Sequence, residues 1–222
     1  MTDWERHLGG ILAGRTALVT GGGQGNGAAI ARGLARHGAR VIVTDINGAT
    51  AASVAHEIRV AGGEAESHVL NVADADACVA LAERTQKTLG DCSIVINNAG
   101  ICPRHTIDDA NLRKAWSDVM DINVTGTLNV SVAYTPQLRR TRGTIINTAS
   151  IAAFVSTATS VGYSASKAAV RLLTKTVAVQ EGAYNIRANT VHPGLMPPMR
   201  TSGNTADPVF REKMLRAVPL RR

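Results

Sequence analysis

The stretch Thr16-Ala-Leu-Val-Thr20-Gly21-Gly22-Gly23-Gln24-Gly25-Asn26-Gly27 decides how the chain is read. Its first five residues form a short apolar run ending in glycines, the pattern of a buried strand. Ala28 to His37 continues with helical composition and stops at Gly38. A glycine cluster alone is weak evidence and often marks only a tight turn. A strand before it and a helix after it make it a candidate phosphate-binding turn. Glycine lets the backbone turn sharply and approach a pyrophosphate closely. A helix opening at Gly25 aims free N–H groups and its positive dipole end at the phosphates. Gly21, Gln24, Gly25, Asn26 and Gly27 are the residues placed there.

Outward from that turn the pattern repeats. Arg40–Thr44 reads as a second buried strand and Ala49–Ala61 as a helix closed by Gly62-Gly63. Glu64–Leu70 reads as a third strand, more polar and nearer an edge. Asp74 can cap a helix that runs to Leu89 and ends at Gly90. Ser93–Ile96 is a fourth strand. Asn111–Leu138 holds one or two helices, stopped near Pro136. Gly143–Asn147 is a fifth strand, Tyr163–Glu181 a long helix and Ile186–Val191 a sixth strand. Strict alternation of strand and helix implies a parallel sheet covered on both faces. Right-handed crossovers make it a doubly wound α/β sheet, a Rossmann arrangement. Residues 1–13 read as an N-terminal extension and 14–222 as one dinucleotide-binding and catalytic domain.

Composition narrows the function. The 222 residues are 45% hydrophobic and 18% charged, a globular mix. Aromatics are 3%, too few for an array that stacks bases or sugars. The net charge of +7 raises nucleic-acid binding, but the arginines are scattered and form no continuous patch. No nucleic-acid partner is expected. No apolar run approaches the ~20 residues that span a bilayer, and the first ten residues lack a signal-peptide order. The expectation is a cytoplasmic protein without membrane contact. Cys78, Cys92 and Cys102 have no paired spacing, so neither a disulfide framework nor a metal site is expected.

Asp45 ends the second strand, 18 residues past Gly27. An acidic side chain there can accept hydrogen bonds from both adenosine ribose hydroxyls. A 2′-phosphate would meet its negative charge, so NAD is the expected cofactor rather than NADP. Ile46 follows at the same adenosine end. A helix-capping or solvated turn aspartate is the bland alternative, and the glycine turn before it favours the ribose role.

Tyr163 and Lys167 lie four apart and so share one helix face. A phenol of pKa ~10 is a poor base at neutral pH. A nearby ammonium favours the phenolate and brings it toward the operating range. Ser150 falls just past the fifth strand, where ligands bind in such sheets, and its hydroxyl can support charge on a substrate oxygen. Taken singly, a Tyr-x3-Lys pair is a solvated helix face and Ser150 a cap. Their joint arrangement points to proton-transfer chemistry.

Ser150, Tyr163 and Lys167 stand as Ser-x12-Tyr-x3-Lys, downstream of Asn97-Asn98-Ala99-Gly100 and of Asn123 in Met-Asp-Ile-Asn-Val. Together with the glycine turn, these motifs resemble the short-chain dehydrogenase/reductase family from about Gly14 to Leu220. The resemblance implies reversible hydride transfer between NAD(H) and a secondary alcohol or ketone, with Tyr163 as general acid/base. It implies that Lys167 also holds the nicotinamide ribose, and that Asn123 holds a water relaying protons from Lys167. It places Asn98, Ala99 and Gly100 on the cofactor side. It puts adenine near Asn71-Val72, where the family has Asp-Val, and the nicotinamide near Pro193-Gly194. Where the family offers a Thr or Ser hydroxyl to the carboxamide, this chain has Pro198, which leaves backbone at Leu195 or Met196 to replace part of that contact.

The family usually continues with another helix and a seventh strand that are not read in this sequence, which is either cut short or that of a shortened member. The sixth strand is therefore expected at an exposed edge, and the homo-oligomer, dimer or tetramer, that the resemblance implies is weakened. The alternative reading is a C-terminally shortened NAD-binding protein with little or no catalysis.

Overall fold

The structure, a computed structural model, describes residues 10–155, 160–194, 212, 215 and 216. Among the described residues, six strands form one parallel sheet: β1 (Thr16–Thr20), β2 (Arg40–Asp45), β3 (Glu64–Val69), β4 (Ile94–Asn97), β5 (Thr144–Thr148) and β6 (Arg187–Val191). The helices between them are α1 (Gly25–Arg36), α2 (Gly48–Val60), α3 (Ala75–Leu89), α4 (Leu112–Met120), α5 (Gly126–Thr141) and α6 (Val161–Glu181). Every residue of β1 is buried because helices cover both faces of the sheet.

Successive strand residues point to opposite faces and build two cores. Leu18, Ile42, Val95 and Ile145 meet Tyr134 and Leu138 of α5 on one face. Ala17, Val19, Val41 and Val43 meet the small residues Ala28 and Ala31 of α1 and the larger Val54 and Ile58 of α2 on the other. Alanines on α1 allow its axis to sit close to the sheet, and the glycine turn with it.

The strand order is β3-β2-β1-β4-β5-β6. After β3 the chain crosses back to the far side of β1, so the connections leaving β1 and β4 diverge. A crevice opens between them at the C-terminal ends of the strands, the ligand position of such sheets. β3, largely half-buried and polar, lies at one edge, and β6 at the other among the described residues. No helix among the described residues is long and apolar enough to cross a membrane.

The Asn111–Leu138 region departs from the sequence reading. It is α4, then a π turn over Asp121–Thr125, then α5 running on to Thr141. Pro136 lies inside α5 and does not stop it. The carbonyl that Pro136 leaves without a donor belongs to Val132, which is well exposed, so water can satisfy it. Tyr134 and Leu138, both fully buried, hold the helix to the sheet on the other side. Termination comes at Arg142, which adopts a left-handed conformation (φ 50°) before Gly143.

Candidate active site

The glycine turn is shaped by steric exclusion. Gly21 is left-handed (φ 59°), and a Cβ on it would come within 2.9 Å of the Ala99 backbone. A Cβ on Gly27 would run into the Gly21 carbonyl oxygen. One on Gly23 would strike the Thr50 hydroxyl and lie 2.9 Å from the Asp45 carboxylate. Gly25 is also left-handed (φ 52°) and opens α1 with empty space around it. Gln24 stands at the N-cap without a side-chain cap, leaving the first N–H groups of α1 free of a protein side chain there.

Asp45 is buried at the end of β2 and is fixed from both sides. The Gly23 N–H donates to one carboxylate oxygen and the Asn47 N–H to the other, each at 3.0 Å. Each oxygen keeps a further lone pair for a ligand hydroxyl. Ile46, next along, is exposed at the rim.

β4 is laced to the same turn. The Asn98 amide donates to the carbonyls of Thr20 and Gly21, both at 3.1 Å. The Thr20 hydroxyl accepts from the N–H groups of Asn98 and Ala99. Asn98 and Ala99 therefore set the floor of the crevice. Asn71 spends its side-chain oxygen on the Ala73 N–H at 3.1 Å. Val72 is buried against Gly126 and its carbonyl accepts from Asn129.

The catalytic-end residues converge. Ser150 lies past β5 in an extended conformation, and its hydroxyl accepts from the Ala152 N–H at 3.1 Å, capping the 3₁₀ turn Ile151–Ala153. The bland role and the functional one thus coexist, because the Ser150 hydroxyl also lies near enough to the Tyr163 phenol to favour its ionised form. Tyr163 sits in the first turn of α6, its N–H capped by the Ser160 hydroxyl at 3.2 Å. Lys167, one turn on, is buried with its Nζ 5.7 Å from the Tyr163 ring centroid. It donates to the Thr148 carbonyl at 2.7 Å.

Asn123 lies in the π turn, fully buried. Its amide nitrogen donates to the Ile101 carbonyl and the Ser166 hydroxyl, both at 3.0 Å, and its oxygen accepts from the Ile101 N–H at 2.8 Å. It therefore pins the Gly100–Ile101 loop to α6. Gly100 has no side chain at the point where a Cβ would stand 3.0 Å from the Asn123 oxygen and 3.6 Å from Lys167 Nζ. Asn123 and Lys167 thus face a common gap.

Burial alters the proton chemistry expected from spacing. The Lys167 ammonium is pushed down to about 8 by burial. The Tyr163 phenol is raised above its ordinary value by burial and, less, by the Cys102 thiol, while the nearby Ser150 hydroxyl opposes the rise. Lys167 is turned toward the Thr148 carbonyl, and burial makes it costly to charge.

Pro193 and Gly194 follow β6, and the Pro193 carbonyl accepts from the Ile151 N–H at 3.3 Å. Leu195, Met196 and Pro198 lie outside the described residues. His192, given no role by its sequence context, proves to be tied to Ser150: its Nδ1 is 3.0 Å from the Ser150 carbonyl oxygen. Ser166 was also silent in the sequence; its hydroxyl links Asn123 to the Tyr163 carbonyl. A serine one residue before Lys167 on the same helix is the signal that could have found it.

The fold and crevice define a dinucleotide-binding α/β protein with a Ser-Tyr-Lys cluster at the far end of the groove. The family model for short chain dehydrogenases matches residues 15–207. A 3-alpha-(or 20-beta)-hydroxysteroid dehydrogenase of Mycobacterium tuberculosis (strain ATCC 25618 / H37Rv) is 35% identical over 211 residues, covering 95% of this chain and 79% of the relative. A 5-keto-D-gluconate 5-reductase of Escherichia coli (strain K12) is 32% identical over 212 residues, covering 95% and 83%. A crystal structure of a gluconate 5-dehydrogenase from Burkholderia cenocepacia J2315, in complex with NADP and tartrate, superposes with a TM-score of 0.86 at 33% identity, covering 92% of this chain and 80% of that one. The chain belongs to the short-chain dehydrogenase/reductase family and is an oxidoreductase acting on alcohols or ketones.

The family binds a nicotinamide cofactor, and the residues here fit one. Gly21, Gly23 and Gly27 cannot carry side chains, which leaves the backbone bare where a pyrophosphate approaches. The N-terminal N–H groups of α1 could donate to phosphate, and the two fixed Asp45 oxygens could accept from hydroxyls.

Proposed function

We propose that the chain catalyses the reversible oxidation of a secondary alcohol to a ketone with NAD, Tyr163 moving the proton. The observation that carries this reading is the convergence of the three side chains: buried Lys167 holds its Nζ 5.7 Å from the Tyr163 ring centroid and is tied to Thr148, two residues before Ser150. When bound, the nicotinamide ring accepts or supplies the hydride and, oxidised, adds positive charge near the phenol.

Ser150 and Tyr163 hold the substrate oxygen between their hydroxyls. In reduction, Tyr163 gives its proton to that oxygen. Burial, which keeps the phenol protonated, suits this direction. In oxidation Tyr163 takes the hydroxyl proton, and neighbouring positive charge favours the phenolate. Lys167 holds the nicotinamide ribose and passes protons toward solvent through the gap it shares with Asn123. Gly21, Gln24, Gly25, Asn26 and Gly27 bind the pyrophosphate. Asp45 and Ile46 receive the adenosine ribose, Asn71 and Val72 the adenine, and Asn98, Ala99 and Gly100 line the floor. Pro193, Gly194 and Met196 border the nicotinamide.

NAD is favoured over NADP because Asp45 sets a fixed carboxylate where a 2′-phosphate would lie. We also infer a homo-oligomer, since α5 exposes Leu128 and Val132 and α6 exposes Leu172 and Val179. The test is a substrate screen by absorbance of the reduced nicotinamide, run on the wild type and Tyr163→Phe, with calorimetry of both cofactors. Equal turnover by the two proteins removes Tyr163 from the chemistry. Tighter binding of NADP overturns the role of Asp45.

A further inference from the structure

The segment Val191–Pro193 grips the loop that carries Ser150. The Ala149 N–H donates to the Val191 carbonyl at 2.9 Å and the Ile151 N–H to the Pro193 carbonyl at 3.3 Å. Both bonds run in one direction, and Pro193 has no N–H to return. The His192 imidazole supplies a donor in the return direction, at 3.0 Å from the Ser150 carbonyl oxygen.

The chemistry of the partners fixes the ring. A carbonyl oxygen only accepts, so Nδ1 carries the proton. Nε2 then accepts from the Thr190 hydroxyl at 2.8 Å. The ring is also held by packing. Phe154 stacks on it with centroids 4.6 Å apart and a 53° tilt. The Arg171 guanidinium lies 4.6 Å from the Phe154 ring centroid. Arg171 is four residues beyond Lys167 on α6, so the strut begins on the helix that carries Tyr163 and Lys167 and ends on Ser150.

We propose that His192 is a positioning residue for the reaction: braced by Thr190 and Phe154, its Nδ1–H holds the Ser150 backbone and thereby aims the Ser150 hydroxyl at Tyr163. This rests on the proposed role of Ser150 and Tyr163. The imidazole touches neither substrate nor cofactor in this scheme. It acts through the geometry of Ser150.

The experiment compares the full chain with His192→Phe, which keeps a ring against Phe154 but has no donor, and His192→Asn, whose side-chain amide restores a donor near the Nδ1 position. Two readouts are taken. One is the titration of Tyr163 followed by NMR with tyrosine labelled at the ring carbon bearing the hydroxyl. The other is kcat, KM and NAD affinity on the best substrate of the screen. The nearby Ser150 hydroxyl lowers the Tyr163 pKa, whereas burial and Cys102 raise it. Loss of aim therefore moves the Tyr163 titration upward. The expected result for His192→Phe is that upward shift together with a fall of about tenfold in kcat, near the worth of one hydrogen bond, with NAD affinity unchanged. His192→Asn returns both toward the wild type.

An unchanged titration in His192→Phe overturns the proposal. So does equal loss in both variants, which would assign the ring to packing alone. If His192→Phe does not fold, Thr190→Val removes the hydroxyl behind the ring and is expected to shift Tyr163 upward by a smaller amount, and no shift overturns the proposal. A wild type that turns over no alcohol or ketone refutes the proposed function separately, since the titration still reads the strut.

Discussion

Lys167 donates to the carbonyl oxygen of Thr148 at 2.7 Å, joining the second turn of α6 to the last residue of β5. The bond crosses from the helix that carries Tyr163 to the strand that delivers Ser150. It sets the spacing of the two hydroxyls through backbone. It also places a charge where little water reaches it.

That burial has a stability signature. The folded pKa of Lys167, about 8, lies below its ordinary 10.5. Between those values the unfolded chain binds more protons at this site than the folded one. Stability from this group therefore rises as pH increases from about 8 to 10.5, and below about pH 8 the full cost of the buried charge is present. The gain is about 3 kcal/mol at most, at roughly 1.4 kcal/mol per pKa unit. Denaturant unfolding of the wild type and Lys167→Met across this range is expected to show the difference between them shifting toward the wild type as pH rises. Parallel curves would refute it.

Ser150→Ala removes the proposed substrate-oxygen donor and the hydroxyl that lowers the Tyr163 pKa. A fall in kcat of about 10²–10³-fold is expected, the scale of losing one oriented donor to a developing oxyanion. The pH at which the rate depends on Tyr163 moves upward in the same variant. Rate profiles against pH measure both effects at once.

Asp45→Asn keeps an oxygen for the Gly23 or Asn47 N–H but removes the charge. NAD binding is expected to weaken by about tenfold, with one charged hydrogen bond to the ribose lost. NADP binding is expected to strengthen relative to NAD. Calorimetry with both cofactors decides it, and an unchanged ratio of affinities would show that Asp45 does not discriminate between them.

Two glycines of α1 should respond oppositely to alanine. Gly27→Ala drives a methyl group into the Gly21 carbonyl oxygen and displaces the turn, so cofactor binding is expected to be lost. Gly33 has open space around its Cβ position and sits inside the helix. Gly33→Ala is expected to stabilise the fold by about 0.5–1 kcal/mol. Thermal unfolding and calorimetry of the two variants separate the cases.

The glycine turn after β1, the six strands and their parallel arrangement were legible because each depends on local chemistry: glycine where a Cβ has no room, and apolar runs where both sheet faces are covered. The Asp74 cap was legible too, its carboxylate accepting from the Ala77 N–H at 2.9 Å. What resisted was set by packing between distant segments. Pro136 looked like a stop because the sequence does not show that Tyr134 and Leu138 are buried while Val132 faces out. The upward shift of Tyr163 depends on burial and on Cys102, 61 residues earlier. His192 reads as an isolated ring until β6 is laid beside the Ser150 loop.

The π turn at Asp121–Thr125 carries one more consequence. The Gly126 N–H reaches back five residues to the Asp121 carbonyl, so the α4–α5 rod holds a residue more than a regular helix of the same span. That surplus residue is what lets Asn123 face the Gly100–Ile101 loop while Val119 and Tyr134 keep their places in the interior. Deleting one residue here would leave a more regular rod. It would also turn the whole of α4 by about 100° relative to α5, so either the carboxamide or the interior would point the wrong way. For this chain, segment length within the turn is as much a determinant of the site as the identity of the asparagine it presents.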